Sequence, residues 1–192
     1  YRTEFLMNNV HIENINIKSD KKDYEGIKIG IYASGDRWVK NFYNQLCATS
    51  LFEKAIVDCV PTSQKVFDFA ELLDLNVSGN IESLPREQLF YRMAENDLNM
   101  YVTFTECAPL LPLESFELGV PCITGNNHHY WEDSELSKYI IVDETDDVLK
   151  IYERMKYCLD NKEKVMNLYR KWKKEYDKQQ HVNKQRFLEI KK

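Results

Sequence analysis

Residues Leu98 to Thr124 read LNMYVTFTECAPLLPLESFELGVPCIT. A nearly unbroken apolar run, Leu98 to Phe104, gives way to a loop that carries a carboxylate, Glu106, and then to a segment with Pro112 near its start. Proline is tolerated there because the first N–H groups of a helix have no intrahelical partner. Gly119 follows where helices commonly end in a left-handed residue, and Val120 to Thr124 opens a second apolar run. Strand, helix and strand in this order predict two parallel strands joined by a helical crossover. Apolarity on both sides of each run is what a strand covered on both faces requires.

Working outward, the same alternation recurs. Gly26 to Ala33 (GIKIGIYA) runs into the turn Ser34-Gly35-Asp36, Lys54 to Val60 (KAIVDCV) stops at Pro61, and Leu75 to Ser78 closes on Gly79-Asn80. Tyr139 to Val142 completes the set of expected strands. Between them, Trp38, Phe42, Leu46 and Thr49 fall at helical spacing. Pro85 suits the first turn of a helix whose Leu89, Phe90, Met93 and Ala94 share a face. Val148, Ile151, Tyr152, Met155, Cys158 and Leu159 form a stripe that Thr145 or Asp146 is placed to cap. The prediction is an α/β fold, doubly wound around a mostly parallel, Rossmann-like sheet.

Residues 26–160 hold this alternation. Residues 1–25 contain an expected strand around Phe5 to Ile12 and then a polar linker, Lys18 to Glu25. Residues 161–192 read as C-terminal helices that pack on the domain or leave it. Within 161–178, Val165, Leu168, Tyr169, Trp172 and Tyr176 line one side of a basic helix. Such a helix touches an anionic membrane surface or a partner, or simply lays its aromatic side on the domain. The second reading is the simpler.

Composition narrows the function. The 192 residues are 43% hydrophobic and 30% charged, too apolar for a disordered chain and long enough for a core without staples. The net charge of −5 argues against a nucleic-acid binder, which must neutralise phosphates. No run approaches the roughly 18 apolar residues of a membrane span. Five cysteines without a CxxC pair read as reduced thiols, hence a cytoplasmic protein, with the inner membrane face left open by the basic helix. Tyr1 opens the chain without an initiator Met or a signal segment, so a piece of a longer protein is expected.

Ligands of open parallel sheets bind beyond the carboxyl ends of the strands. The first such loop carries Gly35, Arg37 and Lys40. A small residue lets backbone approach an anion, and two cations neutralise a diphosphate. No GxGxxG fingerprint is present, which disfavours an NAD-type dehydrogenase. The loop after Phe104 is richer. Glu106 stands in it and Glu114 in the first turns of the following helix, flanking a helix N-terminus whose N–H groups favour anions. Carboxylates repel phosphate but accept hydrogen bonds from sugar hydroxyls, so the pair suits the two sugars of a nucleotide diphosphate-sugar. The plainer reading leaves Glu114 capping its own helix and Glu106 solvated.

His128-His129, beside Tyr130 and Trp131, is expected to face the open end as surface or cleft residues, since no further ligands stand at metal spacing. The acids Asp143, Glu144, Asp146 and Asp147 precede a helix and are read as capping groups.

Glu106 to Thr124, ECAPLLPLESFELGVPCIT, resembles the Glu-x7-Glu segment of retaining GT-B glycosyltransferases of the large family 4 type, in which Gly-Val-Pro follows as Gly119-Val120-Pro121 does here. The likeness extends from about residue 26 to 190, the C-terminal, nucleotide-sugar half of such an enzyme. It implies a hexosyltransferase of polysaccharide biosynthesis that uses a UDP- or GDP-type sugar donor without metal. The acceptor is unknown and the other half is an N-terminal Rossmann-like domain. The resemblance implies that Glu106 contacts the donor hexose and Glu114 the ribose. Cys107, Ala108 and Leu110 lie in the turn whose N–H groups meet the diphosphate, Arg37 and Lys40 stabilise the departing phosphate, and Ile81 offers backbone to the base. Cys107-Ala108-Pro109 replaces the family's Gly-aromatic-Gly, and Pro109 has no N–H, so one phosphate contact is lost or moves to Leu110. The alternative function is a non-catalytic α/β module that binds a partner through the basic helix, its glutamates being structural.

Overall fold

The computed structural model describes Asn8, Val10, Ile12, residues 25–33 and residues 37–190 (backbone alone at 190). Gly35, most of the Phe5 to Ile12 segment and most of the Lys18 to Glu25 linker lie outside the described residues.

Six strands form one sheet: β1 Ile27–Ile31, β2 Ala55–Cys59, β3 Asn76–Gly79, β4 Leu98–Tyr101, β5 Cys122–Gly125 and β6 Ile141–Val142. Their order is β3-β2-β1-β4-β5-β6 and every neighbouring pair is parallel. Ile29 stands between Val57 and Leu98, and Met100 opposite Ile123, all fully buried. The crossovers are α1 Phe42–Thr49, α2 Gln64–Leu72, α3 Arg86–Ala94, α4 Leu111–Glu117 and α5 Ser137–Ile140, and α6 Val148–Asp160 and α7 Lys162–Ile190 follow β6. Helix α1 packs on α6, and α3 on α4. The doubly wound parallel sheet expected from the alternation is the architecture found.

Local chemistry explains several element ends. Gly119 sits at φ +83 just past α4, the left-handed position that glycine adopts without a Cβ penalty. Gly30, in the middle of β1, answers to packing. A Cβ there would come within 2.1 Å of Asn99 Oδ1 and 2.3 Å of Asn96 Nδ2. Those amides belong to a buried polar chain. Asp58 Oδ2 accepts from Tyr32 Oη (2.9 Å), which accepts from Asn96 Nδ2 (2.7 Å). Asn96 Nδ2 also donates to Asn99 Oδ1, and Asn99 Nδ2 to Ser115 Oγ, each at 2.8 Å. Asp58 is wholly buried, and Arg92 of α3 compensates its charge through a two-pronged contact, Nε lying 2.9 Å from Oδ1.

Three expectations need correction. Tyr139 and Ile140 are the end of α5, and only Ile141 and Val142 pair as a strand. Trp38 lies in a 3-10 turn (Trp38–Lys40) before α1 and is 77% exposed, so it takes no part in the buried stripe. The cap of α6 is neither Thr145 nor Asp146 but Asp147, another of the acids read as capping groups, whose carboxylate accepts from Leu149 N and Lys150 N. The C-terminal stretch is a single helix. Its first turns bury Val165, Met166 and Tyr169, Tyr169 stacks on Phe116 at 4.4 Å, and Trp172 meets Trp131 at 5.7 Å. The aromatic side of the basic helix thus lies on the domain. Among the described residues no helix is long and apolar enough to cross a membrane.

Candidate functional site at the strand switch point

The strand order reverses between β1 and β4, so the crossovers after these two strands leave in opposite directions and open a crevice at their carboxyl ends. The residues reaching that crevice come from the 3-10 turn after β1 and the loop after β4. Phe104 N donates to Val39 O (2.9 Å) and locks the two segments together.

Three side chains converge there. Lys40 Nζ donates to Tyr101 Oη (2.8 Å) and lies 5.1 Å from the centre of that ring. Tyr101 Oη donates to Glu106 Oε1 (2.7 Å), and Lys40 forms an ion pair with the same oxygen. The Lys40 and Glu106 side chains are only 16% and 19% exposed. Burial by itself would push the Glu106 carboxyl up, but the hydrogen bonds from Lys40 and Tyr101 outweigh it and hold the carboxyl below its ordinary value. Burial, and then the adjacent Glu106 carboxylate, push the Tyr101 phenol well above its usual range, so it stays a donor.

Glu114 belongs to a second cluster. It is 9% exposed on the first turns of α4, and Arg86 of α3 donates to its Oε1 at 2.6 Å. The two glutamates expected to bracket the helix tip each hold a cation, and the residues holding them differ. Helix α4 has seven residues. Two turns add little macrodipole, so Lys40 is the stronger positive element at the crevice.

The other expected site residues are spread along the same side. Arg37 is exposed and, with Trp38, Asn41 and Phe104, lines a hollow of about 290 Å³. Cys107 is exposed and Leu110 is 41% exposed, while the Ala108 carbonyl accepts from Asn8 Nδ2 (2.8 Å). Ile81, 60% exposed, stands at another hollow of about 360 Å³ with Gly79, Asn80 and Glu82, past the end of β3. Lys40 and Glu106 are thus brought into contact, Glu114 is tied to α3, and Ile81 lines a different hollow past the end of β3.

Tyr101 and Arg86 escaped the sequence reading. Tyr101 is the last residue of β4, and taking Phe104 as the strand end concealed its place at the crevice. Arg86 carries no local signal, because its partner lies 28 residues away. His128 also departs from expectation. It is 6% exposed, its Nε2 lies 3.1 Å from Thr124 Oγ1, and burial lowers its pKa to about 4, so it is a neutral interior group. Among the described residues no group of three His, Cys, Asp or Glu side chains is placed to hold a metal ion.

No family model and no curated protein sequence matches the chain. Solved structures do. The catalytic domain of cholesterol-α-glucosyltransferase from Helicobacter pylori superposes with a TM-score of 0.63 at 13% identity, over 78% of this chain and 96% of that one. WaaG, a glycosyltransferase involved in lipopolysaccharide biosynthesis, gives 0.57 at 17% identity, and Anabaena Alr3699/HepE in complex with UDP gives 0.57 at 14%. These cover 80% and 84% of this chain, which spans 44% of each of them. The chain has the fold of GT-B glycosyltransferases, and its extent fits one half, the C-terminal one, of the two larger structures.

Proposed function

We propose that the chain is the donor-binding half of a retaining glycosyltransferase. The nucleotide diphosphate-sugar lies in the crevice after β1 and β4, and the hexose passes to an acceptor held by a second, N-terminal Rossmann-like domain. The observation that carries this reading is the Lys40–Tyr101–Glu106 cluster at the strand switch point. Tyr101 and Glu106 hold the ammonium where a diphosphate would arrive, and a buried cation interacts far more strongly than one in water. In the reaction the acceptor hydroxyl oxygen bonds to the anomeric carbon on the face that the diphosphate leaves. The diphosphate departs with the bonding electron pair, and the hydroxyl proton is released to it.

Lys40, with Arg37, offsets the growing negative charge, and the N–H groups of Cys107, Ala108 and Leu110 add donors. Glu106 takes hexose hydroxyls once the ligand competes for Lys40, Glu114 takes the ribose, and Gly35 and Ile81 supply backbone to the diphosphate and the base. With side-chain cations in place, this reading calls for no metal. Sugar transfer by a protein that contains this chain tests it, with the anomeric configuration of the product read by NMR. Glu106→Ala is expected to lower kcat/KM by at least about a hundredfold, as removal of a transition-state contact does. Unchanged transfer in both Glu106→Ala and Glu114→Ala refutes the assignment.

One observation favours a second reading. Both glutamates are already paired with cations, as structural residues of a non-catalytic α/β binding module would be. That reading predicts that both alanine variants lose stability and that no nucleotide diphosphate-sugar binds.

A further inference from the structure

Arg86 and Glu114 stand on the first turns of α3 and α4, and both helices start at the carboxyl end of the sheet. Helix α3 begins shortly after Glu82, which lines the hollow at Ile81, and α4 begins where the loop from the crevice ends. The pair therefore joins the segment leaving the hollow to the segment leaving the crevice. In a nucleotide the ribose lies between the base and the diphosphate, which the function given above assigns to these two places.

The two side chains are unequal. That of Glu114 is 11% exposed and that of Arg86 64%. Arg86 Nη2 donates to Glu114 Oε1 at 2.6 Å, and the guanidinium carbon lies 5.0 Å from the centre of the Phe90 ring, itself buried. Phe90 is one turn further along α3, and its face seats a guanidinium that would otherwise move freely in water. The other carboxylate oxygen, Oε2, bonds no described residue and is not sealed from solvent. Arg86 thus fixes one oxygen and leaves the other to accept from a ligand. Stability alone does not call for this pair. A bridge with so exposed a partner adds little, while a carboxylate so nearly buried is costly. Among the described residues no other cation pairs with Glu114. Without Arg86 the carboxylate has no compensation and must turn out to water, which takes Oε2 off its aim.

We propose that Arg86 is a positioning residue of the nucleotide site. Seated on Phe90, it aims the Glu114 carboxylate at the ribose 2′-hydroxyl and so sets a preference for ribose over 2′-deoxyribose. The inference rests on the reading in which Glu114 takes the ribose.

Calorimetric titration of the chain with UDP, GDP and their 2′-deoxy forms tests it. At least one ribonucleotide is expected to bind about tenfold more tightly than its 2′-deoxy form, the worth of one hydrogen bond to a charged group. Arg86→Met changes an exposed side chain and keeps an apolar stem on Phe90. It is expected to weaken the ribonucleotide about tenfold, to change the 2′-deoxy form little, and so to bring the ratio close to one. Arg86→Lys, which restores the charge, is expected to recover part of the preference. Because Arg86 acts through Glu114, adding Arg86→Met to Glu114→Gln is expected to change neither affinity further. A parental ratio in Arg86→Met, or an equal loss for both forms, overturns the inference while leaving the nucleotide site in place. An effect that persists in the Glu114→Gln background makes Arg86 a direct contact of the nucleotide and also overturns it. A parent chain that binds none of the four ligands refutes the donor-site reading, and the inference with it.

Discussion

Lys40 owes its place to a phenol and a carboxylate contributed from beyond β1. Tyr101 Oη and Glu106 Oε1 hold the ammonium in a largely buried setting, and the depressed Glu106 carboxyl is the counterpart of that arrangement. In Lys40→Met, burial loses its main opponent, so the Glu106 carboxyl is expected to titrate at clearly higher pH than in the parent chain. Carboxyl ¹³C NMR measures this, and an unchanged titration would mean that Lys40 does not set the charge of the site. His128 provides a second residue-level test. Its folded pKa of about 4 lies below the unfolded value of about 6.5, so the unfolded chain takes up the proton first. The stabilisation is present above about pH 6.5 and is lost as pH falls towards 4, by about 3 kcal/mol. Urea denaturation across this window is expected to show that slope in the parent and a shallower one in His128→Gln.

Among the elements, the strut between β2 and α3 is the most demanding. Asp58 is fully buried and is compensated by Arg92, whose Nη2 also donates to Ser78 O (2.9 Å) on β3. Arg92→Met leaves an uncompensated buried carboxylate and is expected to cost about 3–5 kcal/mol, while Asp58→Asn combined with Arg92→Met is expected to recover part of it. Chemical denaturation of the single and double variants reads both numbers. Asp147→Ala is a milder case: the cap of α6 goes, and about 1 kcal/mol with it. These elements also show what was legible beforehand. The runs GIKIGIYA and KAIVDCV could be placed because a strand buried on both faces needs continuous apolarity, and α4 because Pro112 and Gly119 mark its ends. Tyr139 and Ile140 have the apolarity of a strand but pack as a short helix, a choice made by tertiary contacts. Glu106 was legible from its loop and Lys40 from the turn after β1, whereas Tyr101 and the contact between Lys40 and Glu106 were not. Lys40 lies 66 residues away and is delivered by the sheet order, a long-range fact that no local pattern contains.

At the scale of the molecule, α7 joins the core through its first half. Val165 and Tyr169 are buried, Trp172 and Tyr176 stack at 4.5 Å, and Tyr176 Oη donates to Asn8 O at 2.6 Å. Phe187 and Leu188 farther along are 37% and 53% exposed. Deleting residues 181–192 is therefore expected to change stability by under about 1 kcal/mol, whereas ending the chain at 161 removes part of the core and should abolish cooperative unfolding. The pairing of a doubly wound sheet with a charged cluster at its strand reversal is the claim on which the functional account stands. The most direct test is a titration of ¹⁵N-labelled chain with UDP, GDP and their hexose derivatives, followed by amide mapping. The account predicts saturable shifts centred on residues 37–41 and 102–110 with at least one of these ligands, and their loss in Lys40→Met. Shifts absent with every ligand, or confined to surfaces away from these two segments, would contradict it.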